Sequence, residues 1–148
     1  MTSIAAAPAR PLVRSLRTPL AWGAVFGVIQ AVSPLAFPWL DTVTVYALGL
    51  PLIAAVYIGF AVADGRAHVL AVETIVASVF VVTAATAMSV SPWLVVAGLV
   101  GHGVKDAWQQ RTQFVAGTRW WPPFCAAVDF VAAALVTLAI TTGFPVAL

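Results

Sequence analysis

Charge is scarce in this chain: 8% of its 148 residues are Asp, Glu, Lys or Arg, while 62% are hydrophobic. An ordinary soluble domain carries roughly 25% charged residues, and a chain this short could not hide so much apolar surface from water. Cysteine occurs once, as Cys125, which excludes an internal disulfide. Histidine occurs twice, too few to supply most of a four-ligand zinc centre, so no metal or cofactor is expected. A Ser-His-Asp spacing, a Gly-rich phosphate loop and an HExxH helix are all missing. The net charge of +2 does not point to nucleic acid, because no basic patch with interleaved aromatics stands outside the apolar stretches.

What is present in quantity is apolar sequence, broken into five stretches at about 20–37, 43–63, 68–88, 93–108 and 124–144. Each approaches the ~20 residues a helix needs to cross ~30 Å of hydrocarbon, the fourth being the shortest. No stretch alternates polar and apolar residues, which excludes a transmembrane β-barrel. The expected fold is all-α: one helical membrane domain over 19–148, with lipid as its main partner, after a mobile cytoplasmic tail at 1–18. The apolar run behind that tail has no small-x-small site at its end and reads as an uncleaved anchor.

The few basic residues orient this bundle. Arg10, Arg14 and Arg17 precede the first stretch, Arg66 falls between the second and third, and Lys105, Arg111 and Arg119 are assigned to the connection between the fourth and fifth. The remaining two connections contain no Lys or Arg. Cytoplasmic loops retain basic residues, so the chain reads as five spans, N-inside and C-outside, in a bacterial-type cytoplasmic (inner) membrane. All six Trp fall near predicted span ends, where an indole ring settles at the headgroup boundary.

Gly23 and Gly27 form GxxxG in the first stretch, which lets helix backbones approach closely. Their partner is either another helix of the same bundle or a second chain, in a homo-oligomer or larger membrane complex. Pro34 and Pro51 fall within or near stretches and are expected to bend them. Gln30 reads as an interhelical hydrogen bonder.

Chemistry, where there is any, belongs to ionisable residues at one depth. Glu73 lies seven residues past Arg66, His102 six before Trp108 and Asp129 eight after Trp121. At ~1.5 Å per residue all three sit ~8–12 Å inside the cytoplasmic edge. Charge at that depth is costly unless paired, protonated or hydrated, which predicts one polar cluster. Asp106 shares a helix face with His102, and Cys125 with Asp129, each four residues apart. Gly101 and Gly103 leave room beside His102. Arg66, seven residues from Glu73, is expected to snorkel toward that carboxylate. His68 is expected at the interface. Three readings stand: a cluster that only fixes helix partners, a proton, ion or polar-ligand site, and a membrane-embedded enzyme with a metal on His102, Asp106 and Asp129.

The text GHGVKDAW at 101–108, TRWWPPFCAAVD at 118–129 and the ADGR turn at 63–66 resemble a group of small bacterial multi-span membrane proteins. These carry an HG..D segment and a W-aromatic-PPFC..D segment on consecutive helices, and have no established activity. The resemblance covers roughly the last three stretches. Gln109 and Gln110 stand where that group carries further histidine, which argues against a metal-binding role. Pro122 and Pro123 suit the first turn of a helix, where no N–H partner is needed.

Overall fold

The computed structural model describes residues 12–143, and all regular secondary structure among them is helical. Five α-helices follow one another: α1 (Leu12–Val32), α2 (Thr42–Asp64), α3 (Ala67–Ser89), α4 (Trp93–Thr112) and α5 (Trp121–Thr142), with a 3-10 turn at Ser33–Ala36. Four segments are long and apolar enough to cross a membrane, namely Leu16–Ala36, Thr42–Asp64, Ala67–Ser89 and Trp121–Thr142. That is the make-up of an integral membrane protein. The fourth helix, loaded with His102, Lys105, Asp106, Gln109, Gln110 and Arg111, is not among the four.

Local chemistry sets the boundaries. The Asp41 carboxylate accepts from the Thr44 N–H at 3.1 Å and caps α2, and Gly65 ends that helix with φ +78°, a left-handed conformation that favours glycine. Pro122 and Pro123 occupy the first turn of α5 as expected. Of the expected tail at 1–18, residues 1–11 lie outside the described set, and 12–18 already belong to α1. Leu12, Val13 and Leu16 extend the apolar sequence backwards, and the helix runs on through Pro19. Pro34 falls in the 3-10 turn, and Pro51 stands inside α2.

The helices pack along small residues. A Cβ at Gly23 would collide with the Phe124 carbonyl, and one at Gly27 with the Val128 carbonyl and Val131. The GxxxG face is thus filled by α5 of the same chain. Gly98 similarly receives Leu50 of α2. The interior is rich in alanine (Ala47, Ala54, Ala77, Ala84, Ala132, Ala133) around Leu50, Phe80 and Leu99, as expected where close van der Waals approach replaces the hydrophobic effect. Gln30 presses its amide against Gly49, so it does face α2. The Tyr46 hydroxyl donates to the Ala31 carbonyl at 2.6 Å, tying α2 to the end of α1.

The outer surface is apolar. Leu52 is 70% exposed, Ile75 65% and Val82 65%, in company with many other large hydrophobic side chains. A soluble monomer rarely shows so continuous an apolar surface. Exposed hydroxyls on α3 obey the same solvent: Thr74, Ser78, Thr83 and Thr86 each donate to the carbonyl one turn earlier, at 2.8–2.9 Å. This leaves no donor unmet toward hydrocarbon.

Candidate functional site: a buried polar cluster across four helices

Each helix contributes its inward stripe. On α3 the buried positions run Val69, Glu73, Ala77, Phe80, which places Glu73 toward the bundle. On α4 they include Leu99, His102, Gly103, Asp106 and Gln109, and on α5 Cys125, Asp129 and Ala132. Tyr57 faces inward from α2. Glu73, His102, Asp106 and Asp129 are each at most 1% exposed.

His102 Nδ1 lies 2.8 Å from Asp129 Oδ2 and 3.2 Å from Asp106 Oδ2. The ring nitrogen carries at most one hydrogen. Only the Asp129 contact has hydrogen-bond geometry, which leaves both Asp106 oxygens without a partner. Asp129 Oδ1, His102 Nε2, Glu73 Oε1 and the Tyr57 hydroxyl are likewise buried and unpartnered. The imidazole is held edge-on by Phe80 and Tyr57, at ring-centroid distances of 5.0 and 6.0 Å. Together, His102, Asp106 and Asp129 each offer one ligand atom, all within 4.8 Å of one another.

Glu73 joins this group through a residue that the sequence reading misplaced. Lys105 is not a loop charge. It lies within α4, and its Nζ donates to Glu73 Oε2 at 2.7 Å while resting 3.2 Å from the centre of the Tyr57 ring. The expected partner, Arg66, is elsewhere. It forms a two-pronged pair with Asp64 and donates to the Phe114 carbonyl at 2.7 Å. Asp64 Oδ2 in turn accepts from the Ala116 N–H at 2.7 Å. Arg66 turns outward because Asp64 is two residues away, whereas Glu73 already holds a cation. The hydrogen bond to Asp64 raises the guanidinium above its ordinary value, so it stays charged.

Other expectations divide. Cys125 is buried one turn before Asp129, a free thiol lying in the electrostatic neighbourhood of Asp106 and Asp129. A cavity of about 210 Å³ between α1, α2 and α5 reaches it past Phe26, Gln30 and Trp121. Gly101 borders open space, but the room expected at Gly103 is filled by the Phe130 ring. His68 stays apart from the cluster, edge-on to Phe114. Lys105 and Tyr57 were missed. Lys105 had a signal: it is three residues from His102, on an overlapping helix face. Tyr57, one of many large apolar side chains on α2, had none.

No protein-family model matches this chain, and neither does any curated protein or any solved structure. The class defined here is an all-helical bundle with four apolar span-length helices around a buried His/Asp cluster, and the functional reading rests on that cluster alone.

Proposed function

We propose that this protein is a five-span, N-inside and C-outside module of a bacterial cytoplasmic membrane, non-catalytic, whose buried cluster takes up a cation, either a proton or a metal ion. One observation carries the reading. Glu73, Asp106 and Asp129 are buried carboxylates, and Lys105 and His102 are the cations within reach of them. With all three carboxylates ionised and His102 charged, the anions outnumber the cations by one. A cluster built only to fix helix partners gains nothing from a surplus buried charge, which costs several kcal/mol by itself. The near-complete burial of Glu73, His102, Asp106 and Asp129 favours an ion over a larger substrate.

Lys105 and Asp106 bring α4 its polarity, and both are turned inward and half-buried or buried. This supports a fifth crossing by α4 despite its composition. A reporter active only outside the cytoplasm should work when fused after Leu148 and stay silent when fused at Gly117. Identical behaviour of the two fusions sinks the five-span topology. Function is tested by nitrogen NMR of labelled histidine in nanodiscs. The His102 resonances should respond to pH or to an added cation. Resonances indifferent to both, from pH 5 to about 9, return the cluster to a packing role.

A further inference from the structure

The cation question has a more specific answer in the donor set. We propose that His102, Asp106 and Asp129 form a binding site for one divalent first-row transition-metal ion of the zinc, cobalt or manganese type. This rests on the cation reading above and narrows it.

Spacing is the first ground. Ligand atoms bound at ~2.0–2.2 Å to a tetrahedral ion lie ~3.3–3.6 Å apart, and even opposed ligands no more than ~4.4 Å. One atom from each of the three residues already falls inside 4.8 Å, with His102 Nδ1 at 2.8 and 3.2 Å from the two carboxylates. An ion touching all three requires the widest of these spacings to close first. The second ground is independent of the first. Asp106 is fully buried with both oxygens unpartnered, and Asp129 keeps a second oxygen unpartnered. Neither Asp106 oxygen accepts a hydrogen bond of good geometry, although the His102 ring nitrogen lies 3.2 Å from one of them.

Charge selects the valence. Lys105 is committed to Glu73, so the site proper holds two carboxylates and one imidazole. A divalent ion with a neutral ring brings the sum to zero. A monovalent ion leaves one negative charge and a trivalent ion one positive, each unfavourable in a low-dielectric interior. Donor type then selects the metal. One imidazole nitrogen with two carboxylate oxygens is a borderline set, suited to zinc, cobalt, manganese or ferrous iron. Magnesium and calcium favour all-oxygen surroundings, and cuprous ion favours thiolate and thioether sulfur. Cys125 stands outside the 4.8 Å group. Three protein ligands leave at least one coordination position open, which is what a bound ion needs in order to exchange.

The test uses the full chain without a polyhistidine tag, stripped with chelator and reconstituted in nanodiscs. Cobalt(II) is the probe, because its visible bands report coordination directly. One cobalt per chain should bind, and one equivalent of zinc should displace it. His102→Gln and Asp129→Asn should each weaken binding by at least about tenfold, and Asp106→Asn gives a third probe if either variant folds poorly by circular dichroism. His68→Gln, remote from the cluster, should bind normally. Absence of bound cobalt in the folded wild type overturns the proposal, as does binding that survives all three cluster variants or is lost with His68. If cobalt and zinc fail to bind while the His102 resonances still respond to pH, the metal site falls and the proton reading stands. If both fail, both fall together.

Discussion

Two sets of charged residues in this bundle are built on opposite terms. At the α2–α3 turn, Asp64 and Arg66 pair one to one, and their remaining hydrogen-bonding capacity goes to the Phe114 carbonyl and the Ala116 N–H. The Asp64 carboxylate is covered by those partners, although it sits at the edge of the molecule. Some residues deeper, Glu73, His102, Lys105, Asp106 and Asp129 hold more acceptors than donors, and several oxygens accept no hydrogen bond of good geometry. The outer set is balanced and serves as a clamp between two loops. The inner one is in deficit, and a buried deficit is costly unless a further cation supplies the charge. Pairing alone is therefore a poor guide to role; the tally of charge and hydrogen bonds separates a fastener from a site.

The largest effect should come from upsetting the one balanced pair within the inner set. Lys105→Met strips Glu73 of its cation and should cost about 3–5 kcal/mol, read as a lowered unfolding midpoint in detergent. Adding Glu73→Gln to that variant should recover most of the loss. If the double variant is as unstable as the single one, Lys105 acts through its contact with Tyr57 and not through charge. A smaller change of opposite sign is expected at Asp106. Asp106→Asn removes the surplus negative charge, and in metal-free protein it should raise stability by about 1 kcal/mol. A marked loss instead would mean that the cluster is balanced as it stands. The smallest shift belongs to the clamp. Arg66→Gln should lower the midpoint only slightly, and the difference should shrink as salt is added, since exposed pairs are screened. The Lys105→Met loss should hardly respond to salt. Equal salt sensitivity at the two sites would erase the contrast drawn here.

Much of this was legible in the sequence, for reasons that can be named. Helical spans follow from length and composition alone. His102 and Asp106 share a face by the helix repeat, and depth counting from Arg66, Trp108 and Trp121 brought Glu73, His102 and Asp129 to one level. Depth counting does not show which cation faces which anion. Arg66 was matched to Glu73 because the seven-residue spacing permitted it, whereas Asp64 is nearer and lies on the same turn. Lys105 was counted with the loop charges because basic residues usually mark loops, a rule about average position that is blind to a lysine turned inward. The pairing of α1 with α5 through Gly23 and Gly27 was equally beyond reach, because a GxxxG stripe specifies close approach and not the partner.

Pro122 and Pro123 have a consequence for how this chain can vary. They fix the first turn of α5, and Asp129 follows Pro123 by six residues, ~9 Å of rise at a fixed angle around the axis. Replacing Ala126 or Ala127 changes the bulk of a contact and leaves the carboxylate where it was. Inserting a single residue between Phe124 and Asp129 turns the carboxylate by ~100° and lifts it ~1.5 Å, out of reach of His102 and toward the lipid. The text between the proline pair and the aspartate is thus a ruler: whatever its letters add to packing, its length sets where the carboxylate lies.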